Sequence, residues 1–513
     1  MREKVRLMRE NLVYQEQLLE QLMVSLEQHE NEPINIDETS SREPSIVSWC
    51  PPESDFAESM RLSFTKLRKI EQLTGSPDIL VGIKRSWIGR VYQKHLKQIP
   101  LIRGLIIWLW RNWYPVYTTA NVRTGSRVAK RWRPLVKLAE HVETLQIATI
   151  KVFDAARVDT PIPKVFPEED QSYLVSPHDH YVFPPVYVAE LGNALVYGGT
   201  NLVFMQDAVI CHDLYDFERD YTSEELHGRH VIDVSKRRMR LLKHDAMPEK
   251  IALAATFVDA CASNYAHWLT EVLPRIAAFC TLEQFANVPV IVNDGLHRNI
   301  MESLALIVGP EREIITLPVG RAVQVDRLYV TSVAGYVPFE RRDTKLENHS
   351  HGLFCPPAFQ VIRDRCFSFV DASTLKDWPK KIYLRRTSEA RSVTNGAEIE
   401  QFLLENGYVA VETEKLSFGQ QVLLFSNAVD VISPTGAALA NAIFCRLGTK
   451  CSVLMSKHEN MIYRYWLNLL TPQGIEVNYA LGTAVNKNKT SIHSNFYIGL
   501  QNISQMLNVR KRA

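Results

Sequence analysis

The sequence predicts an α/β protein built of two wound halves, and three observations predict it. Short apolar strands alternate with amphipathic helices over residues 250 to 345 and again over 381 to 445, the order that builds parallel sheets. Helix signals fall where that order needs them: Asn406-Gly407 is a left-handed stop, and Ser417-Phe418-Gly419-Gln420 is a capping box. Finally, Ile432-Ser433-Pro434-Thr435-Gly436-Ala437-Ala438 passes from a buried strand end through a tight turn into a helix of small residues.

In chain order, residues 1–31 come first. Val5, Leu12, Leu19 and Leu26 fall seven apart, with Met8, Gln15 and Leu22 three residues after the first three. This seam predicts a coiled-coil helix and a homo-oligomer; an amphipathic helix folded back on its own chain fits almost as well. Residues 32–78 hold a Pro/Ser/Glu-rich linker and a short helix.

Residues 79–150 form the most basic region. Between Asp78 and Glu140 stand thirteen Lys or Arg and no acidic residue, in a chain whose formal net charge is only +2. Within it, residues 99–114 carry Ile102, Leu105, Ile106, Trp108, Leu109, Trp110 and Trp113, interrupted by Arg103 and Arg111. That run is too short and too charged to span a bilayer. Its tryptophans and flanking cations fit a helix lying in the interface of an anionic membrane. Nucleic acid is the weaker alternative, because this apolar run has the length and aromatics of an anchor.

Residues 151–345 are expected to form the first half. Tyr187–Glu190, Ala194–Tyr197 and Leu202–Met205, divided by Gly192-Asn193 and Gly198-Gly199-Thr200, suggest a small β-rich subdomain of hairpins. His178-Asp179-His180 lacks further ligands at useful spacing and reads as a surface turn. A strand at 251–257 leads into a helix from Asn264, on which His267 and Glu271 stand four apart and share a face. A histidine and a carboxylate so placed supply a base and its orienting partner, or a core histidine beside Trp268 with a solvated Glu271.

Residues 346–490 are expected to form the second half. The strand Lys381–Leu384 runs into Arg385 and Arg386, with Arg391 close behind. Arginines after a strand's carboxyl end lie where open α/β sheets take ligands, and guanidinium forks suit phosphate oxygens. The turn at Gly436 adds helix-terminal N–H groups, a ready anion site. Each feature alone is met in solvated loops and ordinary strand–helix joints. Residues 491–513 read as a closing segment, with Arg510-Lys511-Arg512 as a tail.

Taken together, these residues resemble glycosyltransferase family 61. The resemblance rests on Tyr383-Leu384-Arg385-Arg386, Arg391, Asn395, Glu398, Gly407, the Leu416–Gln421 helix start and Gly436-Ala437-Ala438-Leu439-Ala440-Asn441. Upstream it rests on Asn264-Tyr265-Ala266-His267-Trp268-Leu269 with Glu271 and Leu273-Pro274-Arg275. The markers are similar to those of bacterial-type members that build capsular and extracellular polysaccharides; Thr435 stands where many members carry histidine. The resemblance implies two Rossmann-like halves facing a cleft (GT-B type) and inverting transfer of a hexosyl, N-acetylhexosaminyl or pentosyl group from a nucleotide diphosphate donor, with a UDP-sugar expected. It implies a catalytic His267 and Glu271. It further implies donor contacts from Arg385, Arg386, Arg391, Asn395, Thr435, Gly436, Ala437, Ala438 and Asn441, with Asn264, Tyr265, Glu398 and Gln421 nearby. No Asp-x-Asp motif occurs, so no metal cofactor is expected, and fixed positive groups take its place.

The expected partners are the nucleotide sugar, a glycan or lipid-linked acceptor and an anionic membrane surface, with no nucleic acid. Eight cysteines show no Cys-x-x-Cys spacing and read as reduced thiols. With a charged, helix-forming start they lead to an expected cytoplasmic location, peripheral to the inner face of the cell membrane. A different Rossmann enzyme, such as a methyltransferase or dehydrogenase, is disfavoured because no Gly-x-Gly-x-x-Gly follows a strand; a non-catalytic scaffold in a polysaccharide-assembly complex is the alternative.

Overall fold

The computed structural model describes residues 49, 51–52, 66–71, 91, 132–174, 179–218, 220–221, 230–241, 248–340, 352–370, 375–386, 390–458, 461, 463–485 and 494–512. The expected coiled coil, nearly all of the linker, the membrane-surface run 99–114 and His178 lie outside the described residues.

Two sheets organise the chain. The first has twelve strands, and its parallel centre is made by Glu249–Thr256, Val290–Asn293, Ile314–Leu317 and Ala322–Thr331. Val290–Asn293 and Ile314–Leu317 are buried along their whole length, as unbroken apolar runs require when both faces of a parallel sheet are covered. Glu249–Thr256 pairs with Val290–Asn293 on one side, at Ala255↔Val290, and with Ala322–Thr331 on the other, at Ile251↔Val325. The chain leaves Thr256 toward the first neighbour and reaches the second only later. The strand order therefore reverses there, creating a crevice of the kind in which open α/β sheets take ligands.

The β-rich stretch differs from expectation. Val186–Tyr197 is one twelve-residue strand, not two strands joined by a Gly192-Asn193 turn. Asn193 does take a left-handed φ of 53°. The ladder to Ala322–Thr331 nonetheless continues in one register on either side, from Val188↔Thr331 to Tyr197↔Ala322, so the distortion stays inside the strand. Nor do these strands form a separate subdomain. Val203–Phe204, Val209–Cys211, Arg133–Lys137, Arg238–Leu241 and His230–Asp233 extend the same sheet from its antiparallel edge.

The second sheet has seven strands, with Val409–Val411, Lys381–Leu384, Asp430–Pro434, Lys450–Lys457 and Glu476–Ala484 adjacent in that order. All these pairings are parallel. Its switch point lies between Lys381–Leu384 and Asp430–Pro434, where Tyr383 pairs with Ile432. Lys164–Phe166, expected in the first half, joins this sheet beside Glu476–Ala484. The expected C-terminal tail is part of the helix Leu500–Arg512, whose Ile503, Met506 and Leu507 are buried. That stripe of three apolar residues among polar ones is the helical spacing of a docked face.

The helices between the sheets belong to one continuous core, which runs from Val165 through Trp268 and Phe425 to Leu481. Leu273–Cys280 packs on Pro356–Phe367, and Arg298–Val308 packs on Phe418–Asn427. Polar bonds fasten the same seam. Glu302 Oε2 accepts from the Phe418 N–H at 2.9 Å, at the start of the Phe418–Asn427 helix, and Asn299 Nδ2 donates to Leu416 O at 2.9 Å. The capping box at that helix start is formed as expected, with Ser417 Oγ accepting from Gln420 N at 3.2 Å and Gln420 Oε1 accepting from Ser417 N at 2.9 Å. The seven described cysteines are free, five of them buried. Among the described residues no helix is long and apolar enough to cross a membrane.

Candidate functional site

The site has two parts, one at each switch point. In the second sheet the strand Lys381–Leu384 delivers two adjacent arginines to different tasks. Arg385 turns back to Glu400, with Nη2–Oε1 at 2.5 Å and Nε–Oε2 at 2.8 Å, and reaches Glu412 at 3.4 Å. It is therefore neutralised and holds the helix Gly396–Glu405 against the sheet. Arg386 goes the other way. Its guanidinium lies over Gly436, where a Cβ would collide with Nη1. The Gly436 backbone is extended, so closeness, not conformation, excludes a side chain there.

Arg386 donates from Nε to Ala390 O at 2.7 Å. Burial pushes its guanidinium down to about 10, and the nearby charge of Arg391 adds to the shift. Arg391 holds a left-handed φ of 62°. Burial lowers its pKa too, and its buried Nε finds no hydrogen-bond partner among the described residues. Two mutually repelling, part-desolvated cations are costly to keep together unless an anion completes them. Beside them the helix Ala437–Phe444 begins with Ala437 and Ala438 partly exposed, and a helix start leaves its first N–H groups without intrahelical acceptors.

The other residues of the expected donor set are tied into the protein. Thr435 is buried, and its Oγ1 accepts from Trp466 Nε1 at 3.0 Å. Asn395 donates to Glu398 at 2.9 Å and to Ile498 O at 2.8 Å, leaving Glu398 exposed at the surface. Asn441 is fully buried and donates to Gln421 Oε1 at 2.6 Å, and Gln421 donates to Thr413 O at 3.0 Å.

The first switch point carries the histidine and carboxylate. Asn264 caps the helix there, accepting from Ala266 N at 3.1 Å. The expected single helix is three segments: an α turn at Tyr265–His267, a π turn at Trp268–Val272 and an α-helix at Leu273–Cys280. Pro274 explains the widening, since it has no N–H to give to the Thr270 carbonyl four residues back. Gly335 packs against that carbonyl, at a distance no Cβ would allow.

His267 Nδ1 hydrogen-bonds Glu271 Oε2 in a short contact, and the other Glu271 oxygen accepts from Val337 N at 2.8 Å. The imidazole stacks on Phe339 with ring centres 5.7 Å apart. Burial by itself would lower the histidine pKa. The charge and hydrogen bond of Glu271, helped by Asp259, outweigh burial and hold it above the ordinary value. With Nδ1–H committed to the carboxylate, Nε2 is the basic nitrogen.

Residues outside the expected site set support this pair. Arg275 donates to Glu271 O at 3.0 Å and to Asp259 at 3.1 Å, and Asn293 exchanges two hydrogen bonds with the Asp259 backbone. Arg275 lies in the Leu-Pro-Arg run, one helical turn after Glu271, but its bond to Asp259 on the preceding loop leaves no local signal. Tyr465 was also missed. Its hydroxyl sits 3.4 Å from Thr270 Oγ1 and feels the charges of both Glu271 and Arg391, which places it between the two parts. A further tie is direct, as Tyr265 donates to Asn441 Oδ1 at 2.7 Å and the helix start Tyr265–His267 packs on Ala437–Phe444. Elsewhere His180 pairs with Asp179 at 2.8 Å. Among the described residues no group of three or more His, Cys, Asp or Glu is placed to hold a metal.

A cation pair at one sheet's switch point, tied to a histidine–carboxylate pair at the other's, suits transfer of a group away from an anionic leaving group. Residues 265–452, which carry both parts, match the family model Glycosyltransferase 61. The match supports a glycosyltransferase and, within that class, family 61. No curated protein matches the chain.

Proposed function

We propose that the protein is an inverting, metal-independent glycosyltransferase that moves a sugar from a nucleoside diphosphate donor, a UDP-sugar by expectation, to a glycan or lipid-linked acceptor. The observation that carries this reading is the Arg386–Arg391 pair beside the Gly436 turn. Arg385, one residue away, is bonded to two carboxylates; Arg386 instead bonds the Ala390 carbonyl and feels the charges of Arg391 and Glu414 against its burial, and Arg391 lies buried beside Tyr465. A diphosphate supplies the missing charge.

In the proposed step the acceptor hydroxyl gives its proton to His267 Nε2 while its oxygen attacks the anomeric carbon from the face opposite the diphosphate. The anomeric C–O bond breaks, and its electron pair leaves on the β-phosphate oxygen. Arg386, Arg391 and the amides at Ala437 and Ala438 meet that developing charge, and Glu271 stabilises the imidazolium. Such positive groups act where a divalent metal acts in other transferases. The basic, tryptophan-bearing segment 79–139 supports work at the cytoplasmic membrane surface, and the heptads of residues 1–31 support self-association.

The test is a thermal-shift screen of nucleotides and nucleotide sugars with magnesium and with a chelator. A ligand that binds only the folded state raises the melting temperature by mass action. One family of nucleoside diphosphates is expected to do so regardless of chelator, and Arg386→Ala is expected to abolish the shift. A shift that depends on magnesium, or that survives Arg386→Ala, overturns the reading.

A further inference from the structure

We propose that the recess behind Glu271, lined by His212, Asp259, Arg275, Thr331 and Tyr336, seats the acceptor and takes the vicinal-hydroxyl edge of a neutral sugar. This deepens the transferase reading and rests on it. The recess measures about 40 Å³, whereas roughly 10–15 Å³ suffices for one water. It therefore has room for about three hydroxyl-sized groups. It opens at the carboxyl end of the Ala322–Thr331 strand, beside the loop that carries Asp259. One wall is Glu271, the carboxylate that holds His267.

Two of the lining residues each carry an incomplete polar atom. His212 Nδ1 and Thr331 Oγ1 are buried and have no hydrogen-bond partner among the described residues. Leaving a buried donor or acceptor unpaired is costly, and native proteins seldom leave such groups open without a role or an occupant. The charge balance decides what kind of occupant fits. Among the lining residues the one cation, Arg275, already bonds Asp259 and the Glu271 carbonyl, and the Glu271 carboxylate is bonded to His267. Burial, reinforced by Arg275 and Lys137, pushes His212 down to about 3, so its ring is neutral. The ring leans on Tyr336 with centres 4.3 Å apart, and the Tyr336 hydroxyl is spent on Asp220 at 3.1 Å. A recess whose one lining cation is already bonded and whose imidazole is neutral disfavours an anionic ligand. A hydroxyl both donates and accepts, so adjacent hydroxyls complete His212 and Thr331 whichever tautomer the ring adopts.

The test is titration of the whole protein, by saturation-transfer NMR, with methyl glycosides of glucose, galactose and mannose, and with methyl glucuronide as the acidic control. At least one neutral glycoside is expected to bind, with the uronide at least about tenfold weaker. Thr331→Val keeps the shape and removes the hydroxyl; it is expected to weaken the neutral glycoside about five- to tenfold and leave nucleoside diphosphate affinity unchanged. His212→Phe is expected to act likewise, and if it fails to fold, Thr331→Val decides. No binding by any neutral glycoside, equal binding by the uronide, or indifference to Thr331→Val overturns the proposal and leaves the recess a site for ordered water. If the glycoside pattern holds while nucleoside diphosphates fail to bind, the saccharide site stands and the transferase reading falls.

Discussion

Gly436→Ala is the sharpest probe of the anion turn. The added methyl occupies the place of Arg386 Nη1, so one of the two must move. The Gly436 backbone is extended and strains no alanine. The displaced atom is the tip of a long side chain, so the fold is expected to keep its stability within about 0.5 kcal/mol. Ligand binding is different, because a charge-assisted hydrogen bond to phosphate contributes about 1.5–3 kcal/mol. Moving Arg386 out of line therefore predicts nucleoside diphosphate binding weaker by about 10- to 150-fold. Isothermal titration of both single variants and the double variant measures this. In an Arg386→Ala background there is no guanidinium to displace, so Gly436→Ala should add almost nothing, and the coupling energy should match its whole effect. Unchanged affinity in Gly436→Ala, or a full additive loss in the double variant, refutes the placement of Arg386 over the turn.

Other perturbations separate chemistry from scaffold. Glu271→Gln removes the charge that offsets the burial of His267, so the acid limb of the pH–kcat/KM profile, expected above the ordinary imidazole value of 6.5 in the native enzyme, should move to lower pH, with kcat lower by about 10²–10⁴. The same raised pKa makes the dyad's contribution to stability fully present below 6.5 and lost as pH rises through the folded value, which denaturant midpoints across that range will show. Glu400→Ala leaves Arg385 short of its bidentate partner and should cost about 3 kcal/mol in chemical denaturation, while nucleotide affinity of the folded protein stays unchanged. Tyr265→Phe takes the donor from the buried Asn441 carbonyl and should cost about 1–3 kcal/mol, read in the same way.

What was legible in the sequence follows from how far each signal reaches. The Ser417–Gln420 box, the Asn406-Gly407 stop and the strand at Lys381–Leu384 depend on neighbours within a few residues, and all form. Arg385 and Arg386 are locally equivalent, and their different fates come from Glu400 and Gly436, far along the chain. Gly192-Asn193 has the composition of a turn, and a partner strand more than a hundred residues away holds it within one ladder. The helix Leu500–Arg512 shows too few apolar residues to announce itself, and it is settled by docking. The recess at His212 assembles residues from several strand ends, and no local pattern marks it. The histidine–carboxylate spacing was legible, whereas the π turn beneath it depends on how Pro274 and Gly335 meet Thr270.

The continuous core has a consequence for how such an enzyme turns over. Many two-lobed transferases are pictured as jaws that shut on the donor and open to release product. Here Glu302, Asn299 and Arg365 bond backbone groups across the seam, and Tyr265 bonds the Asn441 side chain, all within one continuous apolar core. Prising the lobes apart would expose that contact to water at roughly 25 cal/mol per Å². The two sheets should therefore melt together as one calorimetric transition.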